Sequence, residues 1–180
     1  EGPLIASSTN KNILHKIDYK SAYDIYKNIV ENNCGLTLND DNFFEIAKSY
    51  PLGIVKLNQE VIVRDPIVKD KDSLVLVGDI VQNSIINILV GDKVSLIESA
   101  GLACQEAKKS CNQEFEKVIM FDCISRVLYL EEDFKEELNE VQKHTNNKPI
   151  FGALTLGEIA NEGNIHINFF NKTCVIGLLC

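Results

Sequence analysis

The chain has 180 residues, 45% of them apolar and 24% charged, enough for one ample core or for two small subdomains packed closely together. Its net charge of -8, with Lys and Arg scattered rather than clustered, excludes a surface built to neutralise phosphates, so nucleic acid is not an expected partner. No apolar run approaches the ~20 residues of a spanning helix and no secretion signal opens the chain, so neither a membrane partner nor export is expected.

The six cysteines, Cys34, Cys104, Cys111, Cys123, Cys174 and Cys180, form no CxxC pair and have no His at metal-ligand spacing. That pattern fits reduced thiols packed as small apolar groups, and with them a cytoplasmic location and no metal. The first residues are Glu1-Gly2-Pro3 rather than Met, which reads as a piece of a longer protein or as a start left by tag removal.

In chain order, short apolar runs at 4–5 and 13–17 flank the turn-like residues 7–12 and predict a hairpin. Ala22, Ile25, Tyr26 and Ile29 then recur at helical spacing, opened by Lys20 or Ser21 and closed by Gly35. Asp40-Asp41-Asn42 offers caps for a short helix carrying Phe43, Phe44, Ile46 and Ala47, stopped before Pro51. Residues 52–89 are short β-branched runs (53–57, 60–64, 67–68, 74–81 and 85–89) separated by charged or Asn-rich connectors, hence strands.

Asp92 is placed to cap a helix over 93–111 whose Leu96, Ile97, Ala100, Cys104, Ala107 and Cys111 share one mostly small-residue face, suited to close approach to a sheet. Residues 117–121 read as a buried strand, followed by the step Cys123-x-x-Arg126. A second amphipathic helix turns Phe134, Leu138 and Val141 inward. Its Glu131, Glu132, Lys135, Glu136, Glu137 and Glu140 are expected on a solvated face. Alternation at 150–156 predicts a strand with Gly157-Glu158 just beyond its end. Runs at 164–170 and 173–180 flank Asn171-Lys172 and predict a hairpin with Phe169 beside Cys174, Ile167 beside Ile176 and Ile165 beside Leu178.

Several of these spacings together resemble the FIST C domain. They are Pro149-x-x-Gly152-x-x-Thr155-x-Gly157-Glu158-Ile159, then Asn171-x-Thr173, and earlier Phe121-x-Cys123-x-x-Arg126. Tyr50-Pro51-Leu52-Gly53, Val63-Arg64-Asp65-Pro66 and Gly78-Asp79-Ile80 resemble its middle, and residues 12–26 its opening. The resemblance implies an intracellular sensory module of bacterial type, not an enzyme, whose partners are an N-terminal FIST half and a signalling output domain. Members often place His just before the Asn; Phe170 stands there, so no role for that His carries over.

Candidate site residues are few. Glu158 at an apolar strand end is costly unless it is paired or meets a ligand. Arg64 and Arg126 are the only arginines, and a guanidinium grips a carboxylate at two points. One reading is an internal Arg–Glu pair joining two elements. The other is a pocket in which Arg126 or Arg64 takes a ligand carboxylate, Glu158 takes an ammonium, and Thr155 and backbone groups complete it, as would suit a free amino acid. Cys123 at a helix N-terminus reads either as a thiol with lowered pKa, helped by Arg126, or as one more buried small residue. A Cys123-dependent enzyme is the rival function, and it lacks a base, since nothing marks His15, His144 or His166 as partner. Asn171 and Thr173 are turn residues that enter the site, with Gly157, through the resemblance. No cofactor is expected; His166 on a predicted strand is the candidate axial ligand should a haem be bound. The expected fold is α+β, mainly antiparallel sheet built from hairpins with about four packed helices, over residues 1–180. The expected function is small-molecule sensing, with a ligand-free partner-binding scaffold as the alternative.

Overall fold

In the computed structural model, which describes residues 1–57, 60–111, 113–160 and 167–179, the N-terminal alternation forms strands β1 (Leu4–Asn10) and β2 (Ile13–Ile17). Lys11 takes φ 53° in the turn between them. The polar residues 7–10, expected as turn, end β1 instead, and irregular register on either side of Ser8 accommodates them. Past β3 (Lys20–Ser21), helix α1 (Ala22–Cys34) starts where Ser21 Oγ accepts the Asp24 N–H and ends where Gly35, at φ 71°, donates to Glu31 O. Asn42 precedes α2 (Phe43–Ala47) without capping it; its Oδ1 accepts the Asn39 N–H at 2.8 Å and holds the approach loop.

Strands β4 (Leu52–Val55), β5 (Val61–Arg64), β6 (Pro66–Asp70), β7 (Ser73–Leu76) and β8 (Ile85–Ile88) follow as the β-branched runs predict. They pair antiparallel in the order β5-β4-β8-β1-β2-β7-β6, with β3 on β2. Leu14, Ile17, Tyr26, Leu52, Leu74 and Ile86 bury fully in the core beneath this eight-stranded sheet. Tyr26, buried but polar at its tip, donates to Tyr50 O at 2.8 Å. These elements make the first of two compact units, Glu1–Gly91; the second is Asp92–Cys180.

The second unit opens with α3 (Lys93–Ser110), capped as expected by Asp92, whose Oδ2 accepts the Ser95 N–H at 2.7 Å. Next come β9 (Lys117–Cys123), α4 (Ile124–Leu130), a 3-10 turn (Glu131–Asp133) and α5 (Phe134–His144). The chain ends in β10 (Ile150–Thr155), β11 (Glu158–Ala160), β12 (Asn168–Phe170) and β13 (Cys174–Leu179). The fold is α+β and mainly antiparallel. Among the described residues four helices have seven residues or more, and α2 is a single turn.

Two expectations need correction, and one pairing goes beyond what was expected. The first is the C-terminal hairpin: β12 pairs with β11, putting Phe169 beside Ile159, while β13 pairs antiparallel with β9, putting Cys174 beside Asp122, Ile176 beside Met120 and Leu178 beside Val118. Ile165 lies outside the described residues. Alternation fixes which side chains share a face but not which strand lies alongside, and β9 offers an apolar neighbour as good as β12. The added pairing is that of β10, which runs parallel to β9, because the helices α4 and α5 between them carry the chain back to the same end of the sheet. The second correction is that Glu137 of α5 is fully buried rather than solvated. It sits three residues after Phe134 and four before Val141, on the same helical face as both.

The three-stranded sheet β10-β9-β13 is covered on one face by α3 and α5. Ala100 and Cys104 of α3 meet Val118 and Met120 of β9 and Val141 of α5 there. Gly101 lets α3 approach α5, since a Cβ on it would lie 2.8 Å from the His144 ring.

Candidate ligand-binding site

Alternation along β9 turns Val118, Met120 and Asp122 to the helix-covered face, so the strand ends by delivering a carboxylate into an apolar layer. Arg126, one turn into α4, meets it: Nε lies 3.2 Å from Asp122 Oδ1. The same guanidinium pairs through Nη2 with Glu137. It also donates from Nη2 to Leu96 O on α3 (2.8 Å) and from Nη1 to Lys172 O (3.1 Å). One side chain thus ties α3, α4, α5, β9 and the start of β13, and it is 2% exposed. The internal pair predicted for Arg126 exists, but with Asp122 and Glu137 as its acids.

Two buried carboxyls share this one guanidinium. Burial and the adjacent Glu137 carboxylate push Asp122 up to about 7, against the opposing pull of Arg126. One oxygen each of Asp122 and Glu137 and the Cys174 sulfur lie within 4.8 Å of one another, the arrangement by which these residues would hold a cation. Arg126 supplies positive charge to both carboxyls and makes them an ion-pair centre, and burial pushes the neighbouring Cys174 thiol up.

Glu158, 2% exposed, lies on the far side of the Asn171–Thr173 turn. Its Oε1 accepts from Thr155 Oγ1 (2.7 Å) and its Oε2 from Thr173 Oγ1 (2.8 Å) and Thr173 N–H (3.4 Å). Both oxygens are engaged within the chain. Gly157, at φ 109°, carries the chain from β10 into β11. A Cβ there would lie 2.2 Å from the Phe169 ring. Asn171 is fully buried and donates from Nδ2 to Phe170 O at 3.0 Å. The Cys123 N–H donates to Thr173 O (3.1 Å), and its thiol lies 3.2 Å from Ser125 Oγ.

Of the two readings of Cys123, the buried small residue is the one its surroundings fit, since the side chain is 3% exposed. Burial pushes its thiol up, outweighing the Ser125 hydroxyl and local backbone N–H groups that favour the thiolate. Of the described histidines, His144 is occupied by Glu140 and Gln105, and His15 lies 2.9 Å from Ser73 Oγ. His166, the candidate haem ligand, lies outside the described residues. Arg64 belongs to the first unit, where Nε donates to Asp79 O (3.0 Å) and Nη1 to Val63 O (2.9 Å).

Seven predicted residues (Cys123, Arg126, Thr155, Gly157, Glu158, Asn171 and Thr173) thus meet around one turn. Sequence reasoning missed Asp122 and Glu137, each of which had a signal: an inward register two residues after Met120, and a place on the apolar face of α5. Lys172 was passed over as a turn residue. Its backbone takes φ 55°, and its ammonium lies 6.0 Å from the Tyr129 ring centroid.

Beside this turn a groove of about 880 Å³ runs between α3 and β13. Leu96, Ala103 and Ala107 line it from the helix and Cys174 and Ile176 from the strand, and Arg126, Lys172 and Thr173 also border it. A smaller cavity of about 200 Å³ lies under α5 against Met120, Ile150 and Gly152.

No curated protein and no solved structure matches the chain. The family model of the FIST C domain matches residues 22–161, a span that takes in Cys123, Arg126, Glu137 and Glu158 and stops before Asn171 and Thr173. It runs through most of both units, so the chain belongs to the FIST C domain family, a family of sensory signal-transduction domains.

Proposed function

We propose that this chain is a ligand-binding sensory module whose ligand enters the groove between α3 and β13, with a free amino acid as the first candidate. The observation that carries the reading is the coincidence of that groove with the turn where the family's residues converge. A pocket of this volume, mostly apolar with a few convergent polar groups, is the usual form of a small-molecule site. Lys172 and Thr173 border the groove where it meets the turn. Arg126 and Glu158, occupied within the chain, act as positioning residues that hold the turn rather than as direct contacts.

Because Arg126 bonds Leu96 O of α3 and Lys172 O at once, a ligand that shifts the turn also shifts the helix. That gives two arrangements which binding can bias, the requirement for passing a signal to an output domain. The module is not an enzyme in this reading: Cys123, the candidate nucleophile, is buried, and burial pushes its thiol up. An N-terminal FIST half, an output domain and a cytoplasmic setting complete the proposal.

Thermal-shift screening of the twenty amino acids tests it. A ligand present at about 100 times its Kd stabilises by about 2.7 kcal/mol, a rise of several degrees in Tm. The expected hit disappears in Lys172→Met; silence from all twenty at millimolar concentration overturns the amino-acid reading.

A partner-binding scaffold is the second reading. Phe121 of β9 and Phe151 of β10, on the sheet face opposite the helices, are 40% and 48% exposed, a place for another protein surface.

A further inference from the structure

We infer that the open edge of β10 pairs antiparallel with the same edge of a second copy of this chain, joining two β10-β9-β13 sheets into one about a two-fold axis at Gly152. The edge lies on the other side of the sheet from β13, so the inference is independent of the groove.

The backbone comes first. The Val118 N–H bonds Pro149 O, so in the parallel ladder the odd-numbered residues of β10 turn their N–H and C=O groups toward β9. Ile150, Gly152 and Leu154 then turn theirs away from it. Among the described residues no strand pairs with that side of β10, and none of those N–H and C=O groups has a hydrogen-bond partner. The strand holds an unbroken register with β9 from Ile150 to Thr155 and carries no charge, proline or bulge, the devices by which proteins blunt an open edge. Another strand is the partner that answers donors and acceptors spaced in this way.

The side chains say which strand. Phe151 on the bare face and Leu154 on the helix-covered face are each 48% exposed, so the edge is apolar on both sides of the sheet. Opposed residues of an antiparallel pair share a face, and a two-fold axis through the edge therefore keeps bare face with bare face and helix side with helix side. Centred on Gly152, the pairing sets Phe151 against the partner's Ala153 and Ile150 against the partner's Leu154. No charged residue enters it. A Cβ on Gly152 would run into Met120 O, so at the axis the two backbones meet without a side chain between them. On the helix side the cavity of about 200 Å³, bordered by Phe134, Leu138, Ile150 and Leu154 among others, gives the partner's Leu154 an apolar seat. Moving the axis to Ala153 would instead set Phe151 against Thr155 and Leu154 against Gly152, leaving both exposed apolar side chains without an apolar neighbour opposite.

The area sets the strength. A six-residue edge about 20 Å long, with one helix layer beside it, offers about 400 Å² per copy, half of the ~800 Å² that each partner of a stable complex buries. Association is therefore expected to be reversible and to depend on concentration.

Sedimentation velocity of the intact chain from micromolar to millimolar concentration tests the inference, and a monomer passing reversibly into a dimer is expected. Leu154→Lys, which places a charge on the edge at a half-exposed position, is expected to raise the concentration needed by about ten-fold or more. Register is read by cross-linking. Phe151→Cys mixed with Ala153→Cys and mildly oxidised is expected to give several-fold more disulfide-linked dimer than either variant alone, because residues directly opposite bring their Cβ atoms within about 5.5 Å whereas a residue and its own copy lie on the diagonal. The native cysteines are common to every sample, and the parent chain supplies the background. Should Leu154→Lys fail to fold, the cysteine mixture decides alone. A chain that stays monomeric at millimolar concentration overturns the inference, as does a dimer indifferent to Leu154→Lys. Cross-linking of Ala153→Cys alone to the level of the mixture overturns it too, since that result puts the axis at Ala153.

Discussion

Arg126 carries the largest single-residue consequence. It answers two buried carboxyls and two backbone carbonyls, so truncation leaves Asp122 and Glu137 buried without positive charge. Breaking a buried ion pair from one side costs about 3–5 kcal/mol, and Arg126→Ala is expected to lose that much in urea denaturation. Arg126→Lys is expected to recover less than half, because an ammonium cannot reach four acceptors on separate elements. Glu158 differs in degree: Glu158→Gln keeps one acceptor and replaces the other with an NH2 facing a threonine hydroxyl, a loss of about 1–2 kcal/mol by the same measurement. That arginine would do fixed work was legible from its scarcity. Its partners were not, because a Glu-rich helix reads as solvated until the apolar positions around Glu137 are counted on the same wheel.

Among the elements, those with local signals came through the sequence intact. Ser21 and Gly35 bound α1, Asp92 starts α3, and each β-branched run of the first unit carries a strand, the run at 74–81 only as far as Leu76, since caps and alternation are decided within a few residues. Pairing is decided elsewhere. The Asn171–Lys172 step looked like a hairpin turn, but it hands the chain from the β11-β12 pair to β9, and nothing within six residues distinguishes the two outcomes. Gly157 turns the chain at the earlier step from β10 into β11, with a positive φ and the Phe169 ring against it. Gly157→Ala is expected to destabilise by about 1–3 kcal/mol through backbone strain and contact together. Adding Phe169→Ala separates the two: it relieves the contact and leaves the strain, so the double variant should fall short of additive loss when Tm is compared across the four proteins.

Across the whole chain, the buried Asp122 carboxyl makes stability depend on pH in an unusual direction. Folded, it keeps its proton up to about 7; unfolded, it releases it near 3.9. Between those values the unfolded state binds fewer protons than the folded one, so raising the pH from about 4 to about 7 removes stability, and above 7 this group removes no more. Ordinary carboxylates work the other way: Asp92, held down by Ser95, and Glu140, held down by Lys143 and His144, lose their contribution as the pH falls. Subtraction isolates the buried group. Asp122→Asn keeps the shape, stays neutral at every pH and leaves Glu137 to answer Arg126. Its stability relative to the parent chain should therefore rise steadily between pH 4 and 7 and level off beyond, reaching on the order of a few kcal/mol by pH 8. Urea melts of both proteins at pH 4.5, 6, 7 and 8 measure the difference, and a flat difference would mean that Arg126 holds both carboxylates ionised throughout.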